Sequence, residues 1–315
     1  MSLIANEMMK LFKKASTYII IGLLTVIVLG VGGITKYVDN MDDKETSNVD
    51  WRQQLTEQTQ MNKQELEMVA EGQYANMLNQ DIAIAEYQLA NNIAPVTESN
   101  IWSFMNDMVA SIGFISIFTI IVAAGIVANE FSTGTIKLLL IRPVSRFKIL
   151  CSKYVSVLLF SAILLLFMFV LSFIVGGILF GFDDVGPKLV FDNGQVKEVS
   201  QIGFAFFTFM LNSIGLLMLT TMAFMISTAF RNSSLAIGIS IFLLLMGGNL
   251  SYILAAYFDW AKYILFLNLD LISYFNGNPP LEGMTLSFSI TILAVYFIAF
   301  HAIALLFFTK RDVRA

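Results

Sequence analysis

The chain has 315 residues; 57% are hydrophobic and only 13% are charged, with 28 Phe, 16 Met, one His and one Cys. A soluble domain carries about twice that charged share. It could not hide so many apolar side chains either, because surface-to-volume scaling leaves much of any domain facing water, so lipid is the solvent this composition calls for. The net charge of −4 conceals a segregation of sign along the chain.

In chain order, residues 1–15 place Leu3, Ile4, Met8, Leu11, Phe12 and Ala15 on one helical face and Glu7, Lys10, Lys13 and Lys14 on the other. This predicts an amphipathic helix lying in the membrane interface with its lysines near anionic headgroups; an inward extension of the first span is the alternative. The first apolar run, 18–34 within a segment 16–37, is long enough to span. No A-x-A-like site follows it, so it is expected to stay in the chain and not be cleaved. Residues 38–103 carry twelve acids and three bases, and 51–92 hold no Pro and one Gly. Two helices broken near Glu71–Gly72 are expected, packed as a hairpin and stopped by Pro95; a solvated loop is the competing reading.

Five more apolar runs follow at 105–128, 154–180, 202–230, 235–258 and 286–309. Asp192-Asn193-Gly194 between 188–191 and 195–199 predicts a small β-hairpin. Within 259–284, residues 261–275 are apolar and aromatic but too short to cross, and Asn276-Gly277-Asn278-Pro279-Pro280 breaks the chain, which predicts a re-entrant or interfacial segment. The fold class expected is therefore an all-α membrane protein. It has six transmembrane helices, an N-terminal amphipathic helix, an extracellular helical hairpin between helices 1 and 2, and a re-entrant segment before helix 6.

Charge fixes the expected orientation. Lys10, Lys13, Lys14, Lys137, Arg142, Arg146, Lys148, Lys153, Arg231, Lys310, Arg311 and Arg314 all fall on one set of alternate segments, with only Glu7, Glu130 and Asp312 as acids. The other set carries the remaining seven bases and twenty acids. By the positive-inside rule both termini are cytoplasmic, and an odd number of spans would break the pattern.

The segment 129–153 stands out. Glu130 sits at the membrane edge, Gly134-Thr135 makes a step, 136–141 is apolar, and Arg142-Pro143-Val144-Ser145-Arg146 turns the chain, with Ser145 placed to cap the next helix. A short apolar segment framed by bases suits docking of a soluble partner. The pattern Glu130, Gly134, Thr135, Leu138, Leu139, Arg142, Pro143, Ser145, Arg146 and Lys153 resembles the permease subunits of type-2 ABC exporters, and the six-span plan extends the resemblance over nearly the whole chain.

The resemblance implies a location in the bacterial cell membrane and a coupling role for Glu130, Gly134, Thr135, Ile136, Leu139, Arg142, Pro143, Arg146 and Lys153. It also implies an ABC ATPase subunit as partner, carrying ATP and Mg, and a homodimer or paralogous heterodimer of the permease. The chain has no G-x-x-x-x-G-K-[ST] of its own, so it has no phosphate-cradling loop of that kind. No cofactor, nucleic-acid partner, metal site or catalytic group is expected. Asn212, Asn249 and His301 are the polar residues at depth, read either as structural hydrogen-bonding groups or as lining of a substrate path. Asp107 lies at the outer edge of the second span. A reading of another class also stands: a membrane sensor or scaffold whose acidic outer domain recognises cationic peptides.

Overall fold

The computed structural model describes residues 3–45, 50–69, 72–95, 99–136, 143–182, 186–192, 194–230 and 232–310. It is mostly helical. The helices are α1 (Leu3–Phe12), α2 (Ala15–Glu45), α3 (Trp51–Met68), α4 (Gln73–Asn91), α5 (Ile101–Asp107), α6 (Ile112–Ser132), α7 (Arg146–Phe180), α8 (Gln201–Ala229), α9 (Ser233–Ala255) and α10 (Leu286–Lys310). Six helical stretches are long and apolar enough to cross a membrane: Ala15–Met41, Ile101–Ser132, Arg146–Phe180, Gln201–Ala229, Ser233–Ala255 and Leu286–Lys310. The chain is a multi-pass membrane protein. The α2 helix, the first span, runs well past the predicted 16–37, because Lys36, Tyr37 and the acids that follow end the apolar run without supplying a Gly or Pro to stop the helix.

Caps set most of the boundaries. Ser145 opens α7 by accepting from the Lys148 amide at 3.4 Å, as its position predicted, and Asn232 opens α9 by accepting from the Leu235 amide at 3.1 Å. The Asn100 and Ser103 side chains close a capping box on α5, and a 3₁₀ turn, Met108–Ser111, joins α5 to α6 so that the two read as one span. The α4 helix ends at Asn92, in the left-handed region at φ 57°, three residues before the proline expected to end it.

The core is built around α6, which packs on α8 and α9, while α7 carries α1 and α2 on its flank. Short polar contacts pin the apolar spans. Ser227 Oγ accepts from the Val127 and Ala128 amides at 3.1 Å each, and the Tyr154 hydroxyl pairs with Thr221 Oγ1 at 2.8 Å. Such bonds hold helices together where both sides are equally oily.

At the far end of the spans from the chain's N-terminus, α3 and α4 pack against each other, with Lys63 and Glu86 2.6 Å apart. The predicted hairpin is present: β1 (Lys188–Asp192) pairs antiparallel with β2 (Gln195–Val199), Lys188 opposite Val199. The α4 helix rests on it through the Tyr87 hydroxyl, which donates to Glu198 at 3.1 Å.

Between α9 and α10 the chain makes three 3₁₀ turns, Asp259–Tyr263, Leu265–Asn268 and Ile272–Tyr274. Asn268 is fully buried there. Its amide donates to the Lys262 and Ile264 carbonyls at 2.9 and 2.8 Å and its oxygen accepts from Ser289 on α10 at 2.7 Å. A Cβ added at Gly247 on α9 would meet the Phe266 ring, so a larger residue here must displace that side chain.

Candidate functional site

Lys153 lies two turns into α7, and only 1% of its side chain is exposed. An ammonium that deep must be paired to stay charged. It is paired twice: Nζ sits 2.6 Å from Glu130 Oε1, on the last turns of α6, and 3.0 Å from Glu7 Oε2, on α1. Lys10 completes the group, 2.6 Å from Glu7 Oε1 and 3.9 Å from Glu130 Oε1, with about half of its own side chain in solvent. Two cations and two carboxylates thus balance at the meeting point of three helices. Burial works against the Glu7 charge, but Lys153 and Lys10 prevail and hold its carboxyl below the ordinary range. The second oxygen of Glu130 is buried without a hydrogen-bond partner.

Apolar contacts position the group. Leu11 is buried against α7, the Phe12 and Phe160 rings meet edge to face at 5.8 Å, and Thr17 Oγ1 donates to the Leu11 carbonyl at 2.6 Å, fixing the bend between α1 and α2. Glu7 belongs to this inner stripe, not to the polar face assigned to it from sequence. Residues 3, 7 and 11 recur every fourth position and share one face, so the signal for Glu7 was its spacing from Leu3 and Leu11. Lys13 and Lys14 are exposed, as the amphipathic reading expected.

The segment leading away from the cluster begins with a helix stop. Gly134 adopts φ +74°, a conformation open to glycine and costly for other residues. Thr133 Oγ1 donates to the Asn129 carbonyl at 2.7 Å and meets Thr135 Oγ1 at 3.0 Å, and Ile136 is buried in the core. Leu138, Leu139 and Arg142, named from the sequence pattern, lie outside the described residues. Pro143 is exposed, and Arg146 Nη1 donates to the Thr309 carbonyl at 2.8 Å, satisfying an end carbonyl of α10. Phe147 is 56% exposed beside them. One region therefore gathers Glu130, Gly134, Thr135, Ile136, Pro143, Arg146 and Lys153, together with Glu7 and Lys10, which the sequence pattern had not included. A cavity of about 500 Å³ lies against the charge cluster, lined by Asn6, Lys14, Asn129 and Thr135 among others.

The three polar residues at depth do not converge. Asn212 donates to Thr208 of its own helix at 2.9 Å. His301 bonds the Phe297 carbonyl, one turn back, at 2.8 Å through Nδ1, and its ring meets Tyr154 edge on at 4.5 Å. Asn249 is exposed on α9 among Leu245, Met246, Leu250 and Ile253. Among the described residues no group of His, Cys, Asp and Glu is arranged to hold a metal.

Comparison with known proteins places this architecture in a family. The chain is similar to the Bacillus subtilis protein named "Uncharacterized protein YhcI", 42% identical over 316 aligned residues and 99% of each chain. It is also similar to "Uncharacterized membrane protein YdbK" of the same organism, 35% identical over 199 residues, 62% of this chain and 76% of the relative. A family model described as "Protein of unknown function (DUF2705)" matches residues 67–314, which takes in every part of the site except α1. The chain belongs to the DUF2705 family.

Proposed function

We propose that this chain is the permease subunit of an ATP-binding cassette exporter in the bacterial cell membrane. In this reading both termini are cytoplasmic, α3 and α4 form an extracellular helical hairpin, and the 3₁₀ turns before α10 form a re-entrant segment. The observation that carries the reading is the Glu7–Lys10–Glu130–Lys153 group. It makes one mechanical unit of the N-terminal helix, the end of the second span and the start of the third.

The rest follows from what surrounds that unit. Residues 136–146, basic and partly apolar in sequence, connect it to α7, whose Arg146 donates to the end of α10. A partner pressing on this segment moves α6, α7, α1 and α10 together, because breaking a buried ion pair costs about 3–5 kcal/mol. The sequence has no G-x-x-x-x-G-K-[ST] loop, and in this reading the work comes from a separate ATPase subunit carrying ATP and Mg. ATP-driven closure of that subunit would rock the spans and alternate access to the two sides.

Asn249 supports a second copy. A carboxamide set among exposed apolar residues on a span is unfavourable in lipid, and a permease dimer, of identical or paralogous chains, would cover it. Gentle-detergent pull-down of the tagged chain from its native membranes tests the reading. Recovery of a P-loop ATPase subunit is the expected result; repeated isolation of the chain with no nucleotide-binding partner sinks it.

A further inference from the structure

Between α9 and α10 the chain carries Asp270 into the length of the spans. The depth can be read from its neighbours. The Phe266 ring packs on Gly247, well inside the end of α9 at Ala255, and the Leu269 carbonyl oxygen lies 3.7 Å from where a Cβ on Gly215 would stand. Gly215 is the middle residue of α8 (Gln201–Ala229), and Asp270 follows Leu269 directly. The segment is fixed there, since Leu267, Asn268 and Leu271 are buried and Asp270 accepts from the Ser273 amide at 3.3 Å. Asp270 itself is exposed, and among the described residues no base forms an ion pair with it. A carboxylate at the depth of a span's midpoint is unfavourable in lipid unless a positive charge or water meets it. What surrounds it is aromatic: Tyr252 on α9, 46% exposed, and Tyr274 both lie within reach of its charge. Asn249, three residues before Tyr252, shares that face of α9.

We infer that Asp270 and Tyr252 recognise an amphiphilic organic cation, and that this is the substrate class of the transporter. The inference rests on the export reading above. The carboxylate, with no base beside it, repels anions and favours a positive charge. A metal ion is poorly served, because it takes several oxygen or nitrogen ligands at once, and among the described residues no group of His, Cys, Asp and Glu gathers to supply them. The face of an aromatic ring attracts an organic cation instead, most strongly where water is sparse. The depth of the site adds the other half of the description. A ligand that reaches a carboxylate between apolar spans must carry an apolar body with its charge. A second copy meeting the Asn249 face would enclose the same site and shield it from lipid.

Binding to the purified full-length protein in phosphatidylcholine nanodiscs tests it, with radiolabelled tetraphenylphosphonium as probe and tetraphenylborate as an anion of the same shape. Protein-free nanodiscs correct for partition into lipid. Tetraphenylphosphonium should bind saturably and tetraphenylborate should not. Asp270→Asn should weaken the cation about tenfold or more, because its charge partner is lost, while Asp270→Glu should keep most of the affinity. The Asn variant retains an oxygen for the Ser273 amide, so loss of the fold does not explain its effect. Tyr252→Leu should weaken binding and Tyr252→Phe should not, since the ring and not the hydroxyl attracts the cation. Absence of saturable tetraphenylphosphonium binding by the wild type overturns the inference, as does equal binding of the two ions or unchanged affinity in Asp270→Asn. The measurement needs no ATPase. A chain that recovers an ATPase subunit but binds no cation overturns this inference alone, and a chain that binds the cation but recovers no ATPase overturns the export reading and with it the assignment of the cation as substrate.

Discussion

Lys153 shows why buried charge here reads as mechanism. Its two carboxylate partners come from two other helices, Glu7 from α1 and Glu130 from α6, so the full group forms only when α1, α6 and α7 are packed. Lys153→Met alone should destabilise the protein by about 3–5 kcal/mol, because Glu7 and Glu130 are left facing each other. Adding Glu7→Gln and Glu130→Gln should restore much of the loss. Thermal unfolding of the purified variants in detergent checks both parts; a triple variant no better than the single would show that packing, not charge, sets the cost. The Glu7 carboxylate is held below its ordinary value of 4.5. Its contribution is therefore present in full above that value and is lost as acid protonates it through the lower, folded-state value. The Tm gap between wild type and Glu7→Gln should be constant near neutrality and close as pH falls below 4.5; a gap that widens in acid would contradict the assignment. Glu130, Ser145 and Lys153 were legible from the sequence pattern. Glu7 and Lys10 were not, because a binary polar–apolar reading sends every charge on a short helix to water.

At the scale of elements, the sequence announced most of what a bilayer enforces. Apolar length marked the six spans, and Asp192-Asn193-Gly194 marked the hairpin. Residues 261–275 were read as too short to cross, but the three 3₁₀ turns riveted by Asn268 were not foreseen. A lone buried amide gives no periodic signal, and its partners come from Lys262, Ile264 and Ser289 together. Gly247 depends on the same segment. Gly247→Val should cost about 1–3 kcal/mol by forcing Phe266 off α9, read as a lowered Tm. Gly134→Ala should cost about 1 kcal/mol through its left-handed backbone. An unchanged Tm in either variant would mean that the local backbone relaxes freely.

On the scale of the whole molecule, alternation of charge gave an expected orientation, and among the described residues Glu7, Lys10, Glu130 and Lys153 meet in one polar cluster. What the sequence could not show was how little of each later span is covered by the chain itself. Only 17% of the most apolar stretch of α9 and of α10 is buried within the monomer. With Cys151 replaced by Ser, Asn249→Cys should give disulfide-linked dimers in native membranes on mild oxidation, and an equally exposed site facing lipid, Ile298→Cys, should not. The central claim is that the segment between α6 and α7 receives an ATPase. A photo-crosslinking amino acid at Phe147, the exposed aromatic beside Arg146, tests it in living cells. The account predicts an adduct with a nucleotide-binding subunit, and none from the same probe at Tyr257, 78% exposed at the opposite end of the spans; adducts with no ATPase from Phe147, or the same adduct from both positions, would contradict it.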